Sequence, residues 1–403
     1  MSIHFSPLLD EAGKPEFKPW GTVLRHLALL HESSLYSIGT SPAPYPLETI
    51  GPGYCFGPAF GHWDLIFALL DSCPAMPEHT LRQLENMLIF QQPDGFLPGA
   101  IFFKGENPDP SWFSTFPAVW PLAADEYFRV TGSKAAAELC LEPLIRQIRW
   151  LENNRAADGF GYYYLDVSTD AVTRWESGVD ESVRCETVKE LGKFPCIDAT
   201  SHMRLLYDAA ARWSEMLGKP GAAEFSRKRG QLDDIIRTKF FSEETGFFHD
   251  AYLLERGIKY RSLNGVWALT CGAASPEQAQ RVIDESLLSP ERFFTEHPLP
   301  FIAANEPQFE LRMWRGPSWN SLTYMAILGC LRYGRKDAAV KIAEKALHWS
   351  QIQYNRTGAL WEFYHPHGKS PLSVARKRPP CTIPCREYLG HNPLFAMARL
   401  CAG

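Results

Sequence analysis

The sequence lacks long apolar runs and lacks an excess of basic residues. No stretch among its 403 residues approaches the roughly 20 consecutive apolar residues that a membrane-spanning helix needs. Lysine plus arginine number 41 and aspartate plus glutamate 46, so the formal net charge is −5. The basic run at residues 376–378 stands alone, and we expect it to be a solvated loop. A mildly acidic chain of this kind offers no basic face to a phosphate backbone, so we expect neither a membrane nor a nucleic acid among its partners.

An export signal and a metal-binding pattern are also missing. Residues 1–18 show no basic start followed by an apolar stretch. The ten cysteines therefore predict reduced thiols and a cytoplasmic location. Cys381 and Cys385 stand among prolines without a second Cys/His pair, and His365 and His367 flank a proline in a loop. We expect no metal and no cofactor, and the sequence leaves a homo-oligomer open.

Aromatic residues are abundant by contrast. The chain has 12 tryptophans, 15 tyrosines and 25 phenylalanines, which is 13% of its residues. Two interpretations fit this composition. The rings fill a large core, or they line a concave site, as sugar-binding enzymes need for stacking on the C–H faces of a pyranose. Composition does not separate the two interpretations, so the placement of the rings has to decide.

Apolar spacing predicts a mostly helical chain. Short and long connections alternate between the candidate helices, and no strand–helix–strand rhythm indicates a parallel sheet. The twelve candidate helices are residues 23–30, 62–70, 77–90, 117–130, 134–153, 199–217, 222–240, 263–271, 276–287, 317–333, 336–354 and 388–400. Helices in sequential pairs can close into a double-layered toroid with the long connections at one end. No linker-like stretch interrupts the chain, so we expect one all-α domain over residues 1–403.

Three long connections hold charged side chains between rings and glycines. Residues 175–184, W-E-S-G-V-D-E-S-V-R, contain three carboxylates beside a tryptophan and a glycine. Residues 360–368, L-W-E-F-Y-H-P-H-G, place Glu362 inside an aromatic run, and residues 313–320, M-W-R-G-P-S-W-N, place Arg315 between two tryptophans. Helix capping and structural ion pairs would explain these residues without a function. Two carboxyl groups converging on an aromatic-lined pit would instead suit the hydrolysis of a glycosidic bond.

Five motifs follow one another between residues 55 and 370. They are H-W-D at 62–64, Q-P-D-G-F-L-P at 92–98, E-S-G-V-D-E-S-V-R at 176–184, W-R-G-P-S-W-N at 314–320 and W-E-F-Y-H-P-H-G at 361–368. In these residues and in this order, the chain resembles the six-hairpin toroid glycosidases of glycoside hydrolase family 63 and, more distantly, the trehalases. The corresponding family patterns are W-D, Q-x-x-D-G-x-I-P, E-S-G-x-D-x-S-x-R, W-R-G-P-x-W-x-N and W-E-x-Y-x-P-x-T-G.

The resemblance implies an (α/α)6 barrel with the active site in the long loops at one end and no separate N-terminal β-domain. It implies an inverting, exo-acting α-glycosidase that hydrolyses a small α-linked glucoside or mannoside, either a disaccharide or a glycosyl glycerate. Asp180 corresponds to the family's general acid and Glu362 to its general base. Glu176 or Glu181 would keep Asp180 protonated by like-charge repulsion. The candidate substrate-binding residues are Trp63, Asp64, Gln92, Trp175, Glu176, Gly178, Arg315, Trp319, Trp361 and Tyr364.

The C-terminal side of the motif region departs from the family. His367 stands where the family has a threonine, and residues 376–392 lack the family's aromatic Trp-Thr ending. These differences concern the C-terminal wall of the pocket and hence the substrate, and the sequence leaves open whether residues 376–392 complete the pocket. An acidic aglycone would need a cation at the pocket mouth, for which Lys369 and Arg376 are the candidates.

Two other functions stay open. A toroid resembling the sugar epimerases would use histidines as acid and base; His62 hints at this, whereas His202, His249 and His391 stand in no comparable motif. A toroid that binds sugars without catalysis is the second alternative, although the intact pair of carboxylates argues against it.

Overall fold

A computed structural model describes residues 5–37, 41–104, 107–111, 114–166, 175–187, 193–377 and 381–403. The helices in these ranges are α1 (Ser6–Ala12), α2 (Gly21–Ser33), α3 (His62–Ser72), α4 (Pro77–Leu88), α5 (Pro121–Thr131), α6 (Ala135–Asn154), α7 (Val183–Thr187), α8 (Ile197–Met216), α9 (Ala222–Ile235), α10 (Ala251–Glu255), α11 (Trp267–Thr270), α12 (Pro276–Arg281), α13 (Asn320–Arg332), α14 (Lys336–Thr357) and α15 (Leu394–Ala402). The strands are β1 (Leu35–Tyr36), β2 (Leu47–Glu48), β3 (Ala59–Gly61), β4 (Ala100–Lys104), β5 (Asn107–Pro110), β6 (Phe241–Ser242) and β7 (Phe247–Phe248).

Each of the twelve predicted helices has a counterpart in the structure. A 3₁₀ turn over Leu263–Val266 extends α11 at its start, and π-helical turns over Ile236–Phe240 and Val282–Leu287 extend α9 and α12 at their ends. Local sequence sets several boundaries. A capping box between Ser275 and Gln278 starts α12, and Gly358, with a positive φ of 67°, ends α14.

The helices form two layers. α15 packs on α3 and α3 on α5, while α8 packs on α11 and α11 on α13. These are the inner helices, and α3 is buried over all eleven of its residues, as expected for a helix that is apolar all round. The outer α14 buries only eight of its 22 residues. Five of the six helix pairs consist of helices that follow one another in the sequence. The sixth combines the two ends of the chain, because α2 packs against α14 and α15.

The long connections that enter the inner helices lie at one end of the toroid, as predicted. The connection into α3 is fixed by a small antiparallel sheet in which β4 lies between β3 and β5. Gly61 pairs with Ala100 at the end of β3, and the chain turns directly into α3 at His62. This geometry places the first turn of α3, with Trp63 and Asp64, among the long loops.

The core consists of one large cluster of buried apolar side chains that extends from Phe5 to Ala398, with two small satellite clusters. The expectation of a single catalytic domain over residues 1–403 stays a prediction. Among the helices in the described ranges, none has both the length and the apolar character needed to cross a bilayer.

Candidate active site

A cavity lies where the long loops meet the N-termini of the inner helices. Its empty space, which is partly open to solvent, is about 420 Å³. Its lining residues are Tyr54, Trp63, Asp64, Phe116, Gly178, Asp180, Met313, Trp314, Trp319, Glu362, Arg376, Tyr388 and His391. Six predicted site residues therefore meet here, namely Trp63, Asp64, Gly178, Asp180, Trp319 and Glu362.

Both candidate catalytic carboxylates in this cavity pair with a cation from one loop. Lys377 Nζ lies 2.5 Å from Asp180 Oδ2. Arg376 forms a fork with Glu362, with Nε 2.6 Å from Oε2 and Nη2 2.9 Å from Oε1. Burial alone would lower the pKa of Arg376, but the charge of Glu362 and its hydrogen bonds with Arg376, together with two nearby cysteines, raise it. The prediction of a solvated basic run is wrong for Arg376 and Lys377, since both side chains are largely buried beside their carboxylate partners. Arg378 lies outside the described residues.

The surroundings of Glu362 leave one position for a further donor. The side chain is 2% exposed, and the Cys385 backbone N–H donates to Oε2 at 3.1 Å. A carboxylate has about four acceptor positions. Contacts among the described residues fill two of these acceptor positions on Oε2 and one on Oε1. The remaining position on Oε1 suits a water molecule, in an orientation that Arg376 and Cys385 fix.

Asp64 is the third carboxyl group in the cavity. The Tyr388 hydroxyl donates to its Oδ1 at 2.8 Å, and His391 Nε2 lies 3.4 Å from the same oxygen. Burial raises the pKa of Asp64 to about 7; the Tyr388 hydrogen bond opposes this shift, and the negative charges of Glu362 and Asp180 add to it. Burial also lowers the pKa of His391 to about 3. Near neutral pH, Asp64 is therefore partly protonated and His391 is neutral.

Aromatic rings form much of the cavity wall. Trp314 and Trp319 stack with ring centroids 3.5 Å apart and planes 5° apart. Gly178 has a positive φ of 71°, and a Cβ built there would lie 2.9 Å from Trp63 Nε1, so the close approach to the indole requires glycine. Trp63 Nε1 and Arg376 Nη1 are buried donors with no hydrogen-bond partner within the described part of the chain.

Trp361 and Tyr364 do not line the cavity, contrary to prediction. Both belong to a small separate cluster with Ala359. Trp361 donates its Nε1–H to Thr357 Oγ1 at 2.9 Å, at the end of α14 and away from the cavity that Glu362 lines. Tyr364 donates its hydroxyl to Asn392 and stacks on His297 at 4.3 Å.

Glu176 is also outside the cavity wall. It is fully buried, accepts a fork from Arg155 at 2.6 and 2.8 Å, and accepts backbone N–H groups as well. Glu181 pairs with Arg312. Both side chains are thus neutralised by arginines, so the expectation that either keeps Asp180 protonated by like-charge repulsion is wrong.

The cavity lining does not include Gln92, Trp175 or Arg315. Gln92 donates to the backbone carbonyl two residues before it at 3.4 Å. Arg315 Nε donates to the Glu181 carbonyl at 2.8 Å, which ties two site loops together. The Trp175 ring contacts Lys377, whose Nζ lies 3.9 Å from the ring centroid. These residues support the site from outside the cavity.

Sequence reasoning did not identify several wall residues. They are Tyr54, Phe116, Met313, Trp314, Tyr388 and His391, with Lys377 contacting the cavity through Asp180, whereas Arg376 was expected only as a cation at the pocket mouth. Trp314 stood inside a motif that was already singled out. Tyr388 and His391 were assigned to a helix over residues 388–400, but α15 begins only at Leu394. Pro393, directly before that helix, was the available signal, because proline favours the start of a helix.

One group of potential metal ligands occurs within the described ranges. The ligand atoms of Cys196, Asp198 and Asp250 lie within 4.8 Å of one another. The Arg184 guanidinium donates to both aspartates at 2.8–3.2 Å. A side-chain cation therefore already neutralises these carboxylates, and the group lies outside the cavity wall.

The two-layered toroid with a loop-built, ring-lined cavity is an architecture of glycoside hydrolases. The structure is similar to the GH63 mannosylglycerate hydrolase from Thermus thermophilus in complex with Tris and D-glycerate, with a TM-score of 0.67, 17% identity, and coverage of 96% of this chain and 99% of that one. It is also similar to the neutral trehalase Nth1 from Saccharomyces cerevisiae, with a TM-score of 0.63, 15% identity, and coverage of 85% and 71%. At these identities, the similarity shows a shared (α/α)6 fold and confirms the predicted fold class.

Sequence similarity defines the family. A profile described as the mannosylglycerate hydrolase MGH1-like glycoside hydrolase domain matches residues 58–374. The mannosylglycerate hydrolase MGH1 of Selaginella moellendorffii is 22% identical over 380 residues, which cover 76% of this chain and 75% of that protein. The glucosylglycerate hydrolase of Mycolicibacterium hassiacum is 22% identical, with coverage of 89% and 95%. The chain belongs to the MGH1-like glycoside hydrolase family, which confirms the predicted resemblance to family 63.

Proposed function

We propose that this glycoside hydrolase is an inverting, exo-acting α-glycosidase. It removes one glucosyl or mannosyl unit from a small aglycone, in a disaccharide or a glycosyl glycerate. Asp180 is the general acid toward the glycosidic oxygen, and Glu362 is the general base that activates water. The observation that carries the proposal is that these two carboxylates, from loops far apart in the sequence, line one cavity with aromatic walls.

The contacts of Glu362 suit a base that activates water. Arg376 and the Cys385 N–H fix the orientation of the carboxylate and leave an acceptor position on Oε1. In an inverting reaction, water lies between the base and the anomeric carbon, which requires carboxyl groups roughly 6.5–9.5 Å apart. The water gives its proton to Glu362 as its oxygen attacks the anomeric carbon from the face opposite the leaving group.

Asp180 supplies the proton for the departing oxygen in this proposal. Its side chain is 18% exposed, so it can exchange protons with solvent. Asp64, whose pKa is about 7, donates to or accepts from a sugar hydroxyl according to its protonation state.

The relatives support a small substrate. The similar proteins are named as hydrolases of mannosylglycerate and glucosylglycerate and as a trehalase. Their substrates share a small size, which is the basis for proposing exo action here.

The arrangement of histidines gives less support to an epimerase. Such an enzyme needs two histidines that face one substrate. His391 lines the cavity, but His202 lines a separate one, and burial lowers the pKa of each to about 3. His62 and His249 are buried and line neither of these cavities, and burial lowers the pKa of each to about 4.

Anomer-resolved proton NMR tests the proposal. The wild-type protein is incubated with a panel of α-linked disaccharides, α-mannosylglycerate and α-glucosylglycerate, and the first-formed sugar is observed before mutarotation. We expect the β-anomer from at least one substrate and no product from Glu362→Ala, which serves as the control for contaminating activity. Release of the α-anomer would refute inversion. Binding of sugar without any release would favour the non-catalytic alternative.

A further inference from the structure

Three cysteine side chains meet beside the candidate active site, although the proposed mechanism uses no thiol. The Cys55 sulfur has hydrogen-bond partners in the thiols of Cys385 and Cys381. Cys55 belongs to the connection into α3, and the other two belong to the loop that follows Arg376. All three cysteines are free, and Cys55 is exposed whereas Cys385 is buried. Two segments far apart in the sequence thus bring their thiols into contact.

The segments that carry Cys55 and Cys385 are packed against each other at the level of the backbone. A Cβ built on Gly53 would lie only 1.8 Å from the Arg386 carbonyl oxygen, so no side chain separates the two segments there. Cys385 also packs with Ile50 in a small apolar cluster. The contact between the thiols is therefore a consequence of the fold, because the backbones on either side of it are fixed to each other.

Cys55 has the properties of a reactive thiol. The hydrogen bond with Cys385 is the main cause that lowers the pKa of Cys55 to about 6; burial opposes this shift, and the charge of Arg376 adds to it. Among the cysteines of the described residues, Cys55 is the only one whose pKa is lowered. Near neutral pH it is largely a thiolate, which is the form that peroxides oxidise.

We propose that Cys55 and Cys385 form a reversible disulfide in the presence of hydrogen peroxide, and that this modification lowers the activity of the enzyme. The Cys55 thiolate attacks the O–O bond, its sulfur becomes a sulfenic acid, and the departing hydroxide takes a proton from solvent to give water. The Cys385 sulfur then attacks the Cys55 sulfur, and the sulfenic hydroxyl leaves with the Cys385 thiol proton as a second water. The two sulfurs together give up two electrons, which the peroxide accepts.

The disulfide acts on the site through the neighbours of both cysteines. The Cys385 N–H donates to Glu362 Oε2 at 3.1 Å, and the Cys385 carbonyl accepts the Glu362 backbone N–H at 3.0 Å. Tyr54, directly before Cys55, lines the cavity. A disulfide holds its sulfurs about 2.05 Å apart, closer than two hydrogen-bonded thiols, so the cavity wall or the support of the base has to shift. A misplacement of about 1 Å costs an enzyme roughly 10²-fold in rate.

Mass spectrometry tests the disulfide without a substrate. The reduced protein is treated with hydrogen peroxide near neutral pH, free thiols are blocked with N-ethylmaleimide, and a non-reducing digest is analysed. We expect the peptide that joins Cys55 to Cys385 to accumulate before other cysteines are modified, and to disappear after treatment with dithiothreitol. A Cys55 that stays unmodified while other cysteines are oxidised would overturn the proposal, and so would a disulfide that joins Cys55 to Cys381.

Two variants and a matched control separate the roles of the two thiols. Cys55→Ser should leave Cys385 reduced under the same treatment. Cys385→Ser keeps a hydrogen-bond donor to Cys55 but removes the second thiol, so dimedone present during oxidation should trap the sulfenic acid of Cys55. Absence of that adduct would refute the initial attack by Cys55. Cys401→Ser is the control: Cys401 is also partly exposed, but burial raises its pKa to about 12, so this variant should form the disulfide as wild type does.

Activity before and after oxidation tests the effect on the site. This part of the inference rests on the proposed glycosidase function, whereas the disulfide itself does not. We expect kcat/KM of wild type to fall at least roughly tenfold as the disulfide forms and to return with dithiothreitol. Cys55→Ser, which changes a residue outside the cavity lining, should keep its activity throughout. A wild type that forms the disulfide at full activity would refute the effect on the site. If the reduced protein cleaves no glycoside, the proposed function fails, and mass spectrometry still judges the disulfide.

Discussion

Replacement of Arg376 by methionine removes the counter-charge of a buried carboxylate. Both side chains of the Arg376–Glu362 pair are 2% exposed. Breaking such a pair by removing one partner costs about 3–5 kcal/mol, because the other charge stays buried without compensation. An unfolding entropy of about 2.1 cal/mol/K per residue gives about 0.85 kcal/mol/K for a chain of this length. The expected fall in Tm is therefore about 4–6 °C at a pH where Glu362 is ionised.

Differential scanning calorimetry measures this loss, and the chain offers a matched control. Arg129 forms the same kind of fork with Glu126, at 2.6 Å for both contacts, but its side chain is 67% exposed. Arg129→Met should cost less than about 1 kcal/mol. The double variant Arg376→Met with Glu362→Gln removes both charges and should recover most of the loss, although it stays inactive. A fall in Tm no greater than that of Arg129→Met, or a double variant less stable than the single one, would refute the reasoning.

Two further predictions concern the cavity wall and the dependence of stability on pH. Gly178→Ala places a methyl group 2.9 Å from Trp63 Nε1 at a residue with a positive φ, and it should lower kcat/KM at least roughly tenfold. The control is Gly132→Ala, at a residue with a similar φ but in open space. This variant should lose only about 1 kcal/mol of stability and no activity. Burial disfavours the charged form of both His31 and Glu48, but interactions with Glu48 and Asp71 raise the pKa of His31 to about 9, and interactions with His79 and His31 lower the pKa of Glu48 to about 2. The contribution of His31 to the stability of the fold is complete below pH 6.5 and disappears as the pH rises through 9. The contribution of Glu48 is complete above pH 4.5 and disappears as the pH falls toward 2. Tm measured against pH should fall on both sides of a plateau, and a constant Tm from pH 6.5 to 9 would contradict the assignment.

The layering of the fold was largely predictable, because helix periodicity is a local property. The all-round apolar character of residues 62–70 indicated a buried helix, and α3 is fully buried. The end of the chain was less predictable. A helix was expected from residue 388, but the first residues of that segment pack against distant parts of the chain, and α15 starts only at Leu394.

The candidate site was predictable where a motif carries its own chemistry. Asp180 and Glu362 stood in distinctive local patterns, and both line the cavity. Arg376 and Lys377 resembled a solvated basic run, because their burial depends on partners about 14 and 200 residues away in the chain. Trp361 was assigned to the cavity from its position beside Glu362, but its indole packs with Ala359 and Tyr364 in a separate cluster.

The most direct test of the assigned roles compares leaving groups in Asp180→Asn. kcat/KM is measured for wild type and variant with a glycosyl glycerate or disaccharide and with the corresponding α-glycosyl fluoride, whose departure needs little protonation. General acid assistance is typically worth about 10²–10⁴-fold. We predict a loss of that size for the natural leaving group and a much smaller loss for the fluoride, whereas Glu362→Ala should lose both because it removes the base. Equal losses on the two substrates in Asp180→Asn would contradict the assignment of Asp180 as the general acid.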